Sequence, residues 1–168
     1  MLVFLPIFSI AASLSTLVGM FFGAKEYEAL RFTIKYGIMS AFFLTVLSST
    51  FIFLFAEIAV GFFTEDELII SISANFLRLF AFVYPLISVG ITTGRVLQGR
   101  GKGLPVLVIT IVRVLGVSAP LAVFYIFYMG KPVEWVWYSM MLSTVVAFII
   151  ALSWLISTVS KLPKSKAA

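Results

Sequence analysis

The sequence predicts an all-α polytopic membrane protein, a transmembrane helix bundle of about five spans. Three observations carry this. The chain of 168 residues is 62% hydrophobic and only 11% charged, with a mean hydropathy of +1.16, whereas a soluble domain needs a polar shell to face water. Five apolar runs each meet the roughly 20 residues that a spanning helix requires. The short loops between the runs alternate in the sign of their charge, as loops on opposite faces of a bilayer do.

The runs can be taken in order. Leu2–Phe22 carries no charge, Tyr36–Phe63 only Glu57, Leu68–Gly94 only Arg78, Leu104–Met129 only Arg113, and Trp135–Ser160 none. Strands of an outer-membrane barrel would be about 10 residues long with polar alternation; these runs are too long and too uniformly apolar. A helix satisfies its own backbone groups in hydrocarbon, so each run reads as one helix. Ala24–Lys35 reads as a separate short amphipathic helix at the interface, with Tyr27, Leu30 and Ile34 turned to lipid.

Charge sets the expected orientation. Lys25, Arg31 and Lys35, then Arg95, Arg100 and Lys102, then Lys161, Lys164 and Lys166 of the basic tail 161–168 fall on one face, against Lys131 on the other. The turn Thr64–Glu67 holds Glu65, Asp66 and Glu67 and no base. Basic loops stay cytoplasmic, so the N-terminus is expected outside the cell membrane and the C-terminus inside. Tyr125, Tyr128, Trp135, Trp137 and Tyr138 flank Gly130–Glu134, where an outer aromatic belt belongs. The net charge of +5 is accordingly topology, not a nucleic-acid footprint.

No Lys or Arg precedes Lys25, so the first run lacks the basic start of a cleaved signal and reads as a retained span. An outside N-terminus with no preceding charge is expected of a fragment, or of half of a split transporter whose odd number of upstream spans lies elsewhere. The chain has no Cys and no His, which removes disulfides, thiol chemistry, zinc sites and the commonest general base. With no intramembrane carboxylate pair either, an enzyme is not expected, nor a cofactor.

Several motifs follow one another along this frame. Val18–Ala24 runs Val-Gly-Met-Phe-Phe-Gly-Ala. Phe62–Leu68 runs Phe-Phe-Thr-Glu-Asp-Glu-Leu. The third run holds Phe76-Leu77-Arg78-Leu79 and Tyr84-Pro85, and beyond it comes Val96-Leu97-Gln98-Gly99-Arg100-Gly101. Ala119-Pro120-Leu121-Ala122 lies in the fourth run, and Trp137 opens the fifth. Their order resembles the C-terminal half of the multidrug and toxic compound extrusion (MATE) transporters, from about Ser9 to Ser160. Leu-Gln-Gly-x-Gly is the most specific piece. The sequence departs at Met20, where the family often has a polar residue, and it holds five of the family's twelve spans.

The resemblance implies most of one lobe of a V-shaped exporter that exchanges small amphiphilic or cationic compounds against a proton or sodium gradient. It implies partners in the lipid bilayer, a small organic substrate, and the missing N-terminal transporter helices or another chain. The ion-coupling acids of such proteins lie mostly in spans absent here, so none is assigned. A lipid-linked saccharide flippase of the same superfamily is the alternative, favoured by a larger and more cationic cavity; a non-transporting membrane fragment or assembly partner is the other.

The candidate site residues are the intramembrane polar ones. Arg in mid-membrane costs about 3 kcal/mol unless paired or hydrated. Arg78 sits roughly 15 Å below the acidic turn and Glu57 roughly 9 Å below it on the preceding antiparallel helix, an offset a guanidinium bridges, so the two are expected to pair as a clamp. Arg113, roughly 14 Å from its basic end, has no acid at its depth; it reads as snorkelling, or as facing a cavity or an absent helix. Asn75 joins Ser71, Arg78, Phe82 and Pro85 on one face, turned toward protein or water. Pro85 and Pro120 interrupt apolar runs and predict kinks, as packing features or gating points. Gly19 and Gly23 predict a close helix approach. Gln98–Gly103 lacks the Gly-Lys-Ser/Thr ending of a phosphate loop and reads as a turn.

Overall fold

The computed structural model describes residues 4–163. Leu2 and Val3 of the first run and residues 164–168, with Lys164 and Lys166 of the basic tail, lie outside the described residues. The helices are α1 (Phe4–Gly23), α2 (Tyr27–Gly61), α3 (Glu67–Ala81), α4 (Tyr84–Gly99), α5 (Leu104–Tyr128) and α6 (Trp135–Ser160). Four are long and apolar enough to cross a membrane, and α3 with α4 makes a fifth crossing bent by 53°. Large apolar side chains such as Phe43, Leu47, Phe51, Phe127 and Ile149 point outward along them. That arrangement is stable only in a hydrocarbon solvent.

Local chemistry accounts for the breaks. Pro85 occupies the first turn of α4; its ring excludes the carbonyl four residues back and removes a donor. The third run therefore breaks at Phe82–Val83 instead of kinking gently as one helix. Pro120 has a milder effect: α5 continues through it, but Val112–Ser118 just before it widens into a π-helical turn, a register that tolerates the lost bond. At the acidic turn the Asp66 side chain accepts from the backbone N–H of Leu68 at 2.9 Å and of Ile69 at 3.3 Å, an N-cap for α3.

One expectation is overturned. Residues 27–35 form no separate interfacial helix but the first turns of the 35-residue α2, which is regular until Phe55 (φ −108°, ψ 19°). Leu30 and Ile34 do not face lipid. Both are buried, in one cluster with Leu14 and Val18 of α1, Val96 of α4, Leu155 of α6 and Leu162. The apolar period looks the same whether lipid or protein covers it, and here the ends of α1, α4 and α6 cover it.

This cluster knits the basic end. Arg100 donates to the Thr158 carbonyl at 3.0 Å, in the last turn of α6, where carbonyls lack helical partners, and Arg31 donates to the Leu162 carbonyl just beyond that helix at 2.8 Å. Arg100 also lies over the Phe22 ring at 4.8 Å. Burial lowers the Arg100 pKa from its ordinary value, with Tyr27 acting in the opposite direction.

Further along, α4 is the middle helix, packed on α1, α2 and α6, while α5 stacks on α6. Small residues permit the approach: Ala41, Thr45 and Ser49 on α2, Ser88 and Thr92 on α4, and Ser139, Ser143, Ala147 and Ala151 on α6 are all buried at four-residue spacing. Without a hydrophobic force between helices in lipid, such close packing is what holds them together. The tightest approach is between α1 and α4, where a Cβ added to Gly99 would strike the Ser15 carbonyl oxygen and one added to Gly19 would lie 3.2 Å from the Gly99 carbonyl. Gly23, expected to share this role, has open space around it. Gly101 lies at φ +76°, a left-handed turn that an L side chain resists. The Leu-Gln-Gly-x-Gly segment is thus a packing and turning device.

Candidate functional site

The intramembrane charges sort into one pair and one open cavity. Arg78 Nη2 lies 3.0 Å from Glu57 Oε1, joining α3 to α2. Both side chains remain partly open, 36% and 62% exposed, so the pair sits at the rim of the bundle. Asn75, about one turn before Arg78, is exposed, as are Ser71 and Phe82, while Pro85 is half-buried at the α3–α4 break. The N-terminal part of this face, Ser71 and Asn75, is thus open, while Arg78 and Phe82 further along reach Glu57 and Phe53 of α2. Pro120 lies on the open face of α5, far along the chain from this pair.

Beside the pair, an apolar groove of about 1170 Å³ separates α2 and α3 at their acidic ends. Phe51, Phe63, Phe76 and Trp137 contribute its aromatic walls, and the Phe76 and Trp137 rings meet edge to face at 5.3 Å. Trp137 therefore turns inward. The rest of the aromatic belt clusters outside it, with Trp135 5.1 Å from Tyr125 and 5.5 Å from Tyr138, and Lys131 over the Trp135 ring at 5.1 Å.

Arg113 occupies a different place. It lines a 290 Å³ cavity between α4, α5 and α6, together with Arg95, Gln98 and Thr110. Among the described residues no carboxylate pairs with it. Gly90 and Gly94 of α4 also line the space; an added Cβ on Gly90 would meet nothing within 4 Å. Arg95 had been expected as a loop charge only. Because α4 runs on to Gly99, its side chain belongs to the helix face that forms the cavity. The four-residue spacing of Gly90, Gly94 and Gln98 is the sequence signal that marks this face.

Comparison with known proteins places the whole arrangement. The MatE family profile matches residues 1–124. The chain belongs to the MatE family. Over 119 residues it is 29% identical to the "Probable multidrug resistance protein NorM" of Thermotoga maritima, covering 71% of this chain and 26% of that protein. It superposes on an inward-facing MATE multidrug resistance transporter of the MOP superfamily with a TM-score of 0.87 at 29% identity, over 99% of this chain and 39% of that one. An outward-facing MATE transporter gives 0.89 at 28% identity, over 98% and 37%. This MatE chain therefore spans about a quarter of the NorM relative and under two-fifths of the solved transporters. MatE proteins are multi-pass membrane transporters, and the helices described fit that class.

Proposed function

We propose that this chain forms one wall of a secondary exporter of small amphiphilic or cationic compounds, driven by a proton or sodium gradient. The observation that carries the reading is the likeness of the whole unit to both an inward-facing and an outward-facing MATE transporter. A unit that fits both states as one body moves as one body, as alternating access by rocking requires. Its knitted basic end and its small-residue helix seams give it the stiffness for that movement. The aromatic groove beside the Glu57–Arg78 pair supplies surface suited to a flat, apolar cargo. The resistance protein among its relatives favours drug export over saccharide flipping, and the 290 Å³ cavity, though cationic, is short of space for a saccharide.

Five crossings supply one side of a cavity, so the chain alone is expected not to complete a cycle. Purified protein in liposomes should move ethidium under a proton or sodium gradient no faster than empty liposomes. Co-reconstitution with the part of the Thermotoga maritima relative outside the match is expected to give gradient-dependent movement. Movement by the chain alone, lost in Arg113→Ala, would instead indicate a functional oligomer. No movement with both parts present would count against export.

The orientation is tested separately, in a chain with no native Cys. Single cysteines replacing Glu65 and Lys102 are expected to label from outside and from the cytoplasm respectively. Labelling of both from the same side would overturn the topology.

A further inference from the structure

Arg113 is the one intramembrane charge that the exporter reading leaves unexplained. A guanidinium stays protonated under all ordinary conditions, so at roughly 14 Å from the basic end of α5 its charge needs an anion, water or a carbonyl. Among the described residues, the lining of its cavity includes Arg95 but no Asp and no Glu. Arg95 Nη1 donates to Gln98 Oε1 at 3.3 Å, which occupies the amide oxygen and leaves the amide nitrogen to donate. The Thr110 hydroxyl already donates to the Val106 carbonyl at 2.9 Å. The donors left facing the space are therefore the two guanidinium groups and the Gln98 amide nitrogen, the Thr110 proton being already engaged.

We propose that this α4–α5–α6 cavity binds a phosphate group, held by Arg113 at its depth and Arg95 toward the basic end. Paired guanidinium forks match phosphate oxygens in geometry and charge. The volume agrees: 290 Å³ lies at the lower limit of small-ligand pockets, roughly 300 Å³, so it accepts a headgroup or a free ion but not a drug-sized molecule. Its charge is also wrong for an organic cation. The site is therefore separate from any cation path, and the inference stands whether or not export is demonstrated. Two features of the backbone make the space: Gly90 and Gly94 withhold side chains from α4, and α5 widens from Val112, next to Arg113, into its π-helical turn, an irregularity often found at binding sites. Pro105 is the sole buried residue described on α5, so the cavity is reachable along its flank.

The phosphate has two sources, an anionic lipid or a free ion, and both are tested on the delipidated 168-residue protein in maltoside detergent. Thermal unfolding is followed with phosphatidylglycerol, with inorganic phosphate, and with chloride at matched ionic strength. A ligand at saturating concentration is expected to raise Tm by about 5 °C, and chloride to leave it unchanged. A shift with phosphatidylglycerol alone identifies a lipid headgroup; a shift with inorganic phosphate as well identifies a free anion as sufficient. Arg113→Gln and Gly90→Leu are expected to lose the shift, and Lys131→Gln, at the opposite end, to keep it. Gly90→Leu fills the space while retaining both arginines, so it decides the matter even if Arg113→Gln fails to fold. No shift in the unaltered chain, an equal shift with chloride, or a shift retained in Gly90→Leu would overturn the proposal.

Discussion

Gly99→Val is expected to be the most damaging single substitution in the basic half of the bundle. The Gly99 Cα faces the α1 backbone so closely that a Cβ would strike the Ser15 carbonyl oxygen and lie 3.2 Å from the Val18 Cβ. Neither neighbour is the free end of a flexible side chain, so α1 and α4 must move apart. Overpacking of this kind costs about 3 kcal/mol or more, a large share of a stability of about 5–15 kcal/mol. Separation would also pull at the Arg100–Thr158 bond one residue on and at the cluster around Leu14, Val18 and Val96. The expected result is a fall in detergent Tm of about 10 °C, with monodisperse protein lost on gel filtration. Gly23→Ala is the control, because nothing lies within 4 Å of its added Cβ. It is expected to be neutral or mildly stabilising, since alanine is the better helix former by about 1 kcal/mol. Equal losses in the two variants would mean that the α1–α4 approach does not matter.

Gly99 also illustrates what the chain discloses before it folds. The existence and order of the crossings were readable because bilayer thickness dictates a length and an apolar run meets it. The third run was readable as proline-interrupted, but Pro85 carries no information on a 53° bend, which the packing of α4 against α1 and α2 sets. The Leu-Gln-Gly-x-Gly segment was readable as a resemblance, and its cause, one backbone lying on another, needed the fold. Leu30 and Ile34 were misplaced because an apolar stripe does not say whether lipid or protein covers it. The stripe Ser139, Ser143, Ala147 and Ala151 could have been found from its four-residue spacing, since small residues in a span mark a helix seam. The Glu57–Arg78 pair was readable from helix rise alone. The cavity at Arg113 was not: three helices make it, and Gly90 contributes by lacking a side chain.

The Glu57–Arg78 pair should respond unequally to removal of its two charges. The 3.0 Å contact ties α3 to α2 beside the aromatic groove. Glu57→Gln leaves a guanidinium with no counter-charge in the apolar zone, and a guanidinium cannot shed its proton; the cost is expected to be about 2–3 kcal/mol. Arg78→Gln leaves the Glu57 carboxyl beside an amide that can still donate a hydrogen bond to it, and is expected to cost about 1 kcal/mol less. The double variant Glu57→Gln with Arg78→Gln leaves two neutral amides able to hydrogen-bond one another across the same gap. Its loss is expected to fall short of the summed single losses by at least about 1 kcal/mol, read as detergent Tm or as urea resistance. The ordering separates a clamp from a chance contact. If the pair holds α3 in place, Glu57→Gln is the worst of the three variants and the double change recovers part of its loss. Additive losses, or Arg78→Gln as the more damaging single change, would show that Arg78 serves something other than Glu57, with the exposed face carrying Asn75 the place to look.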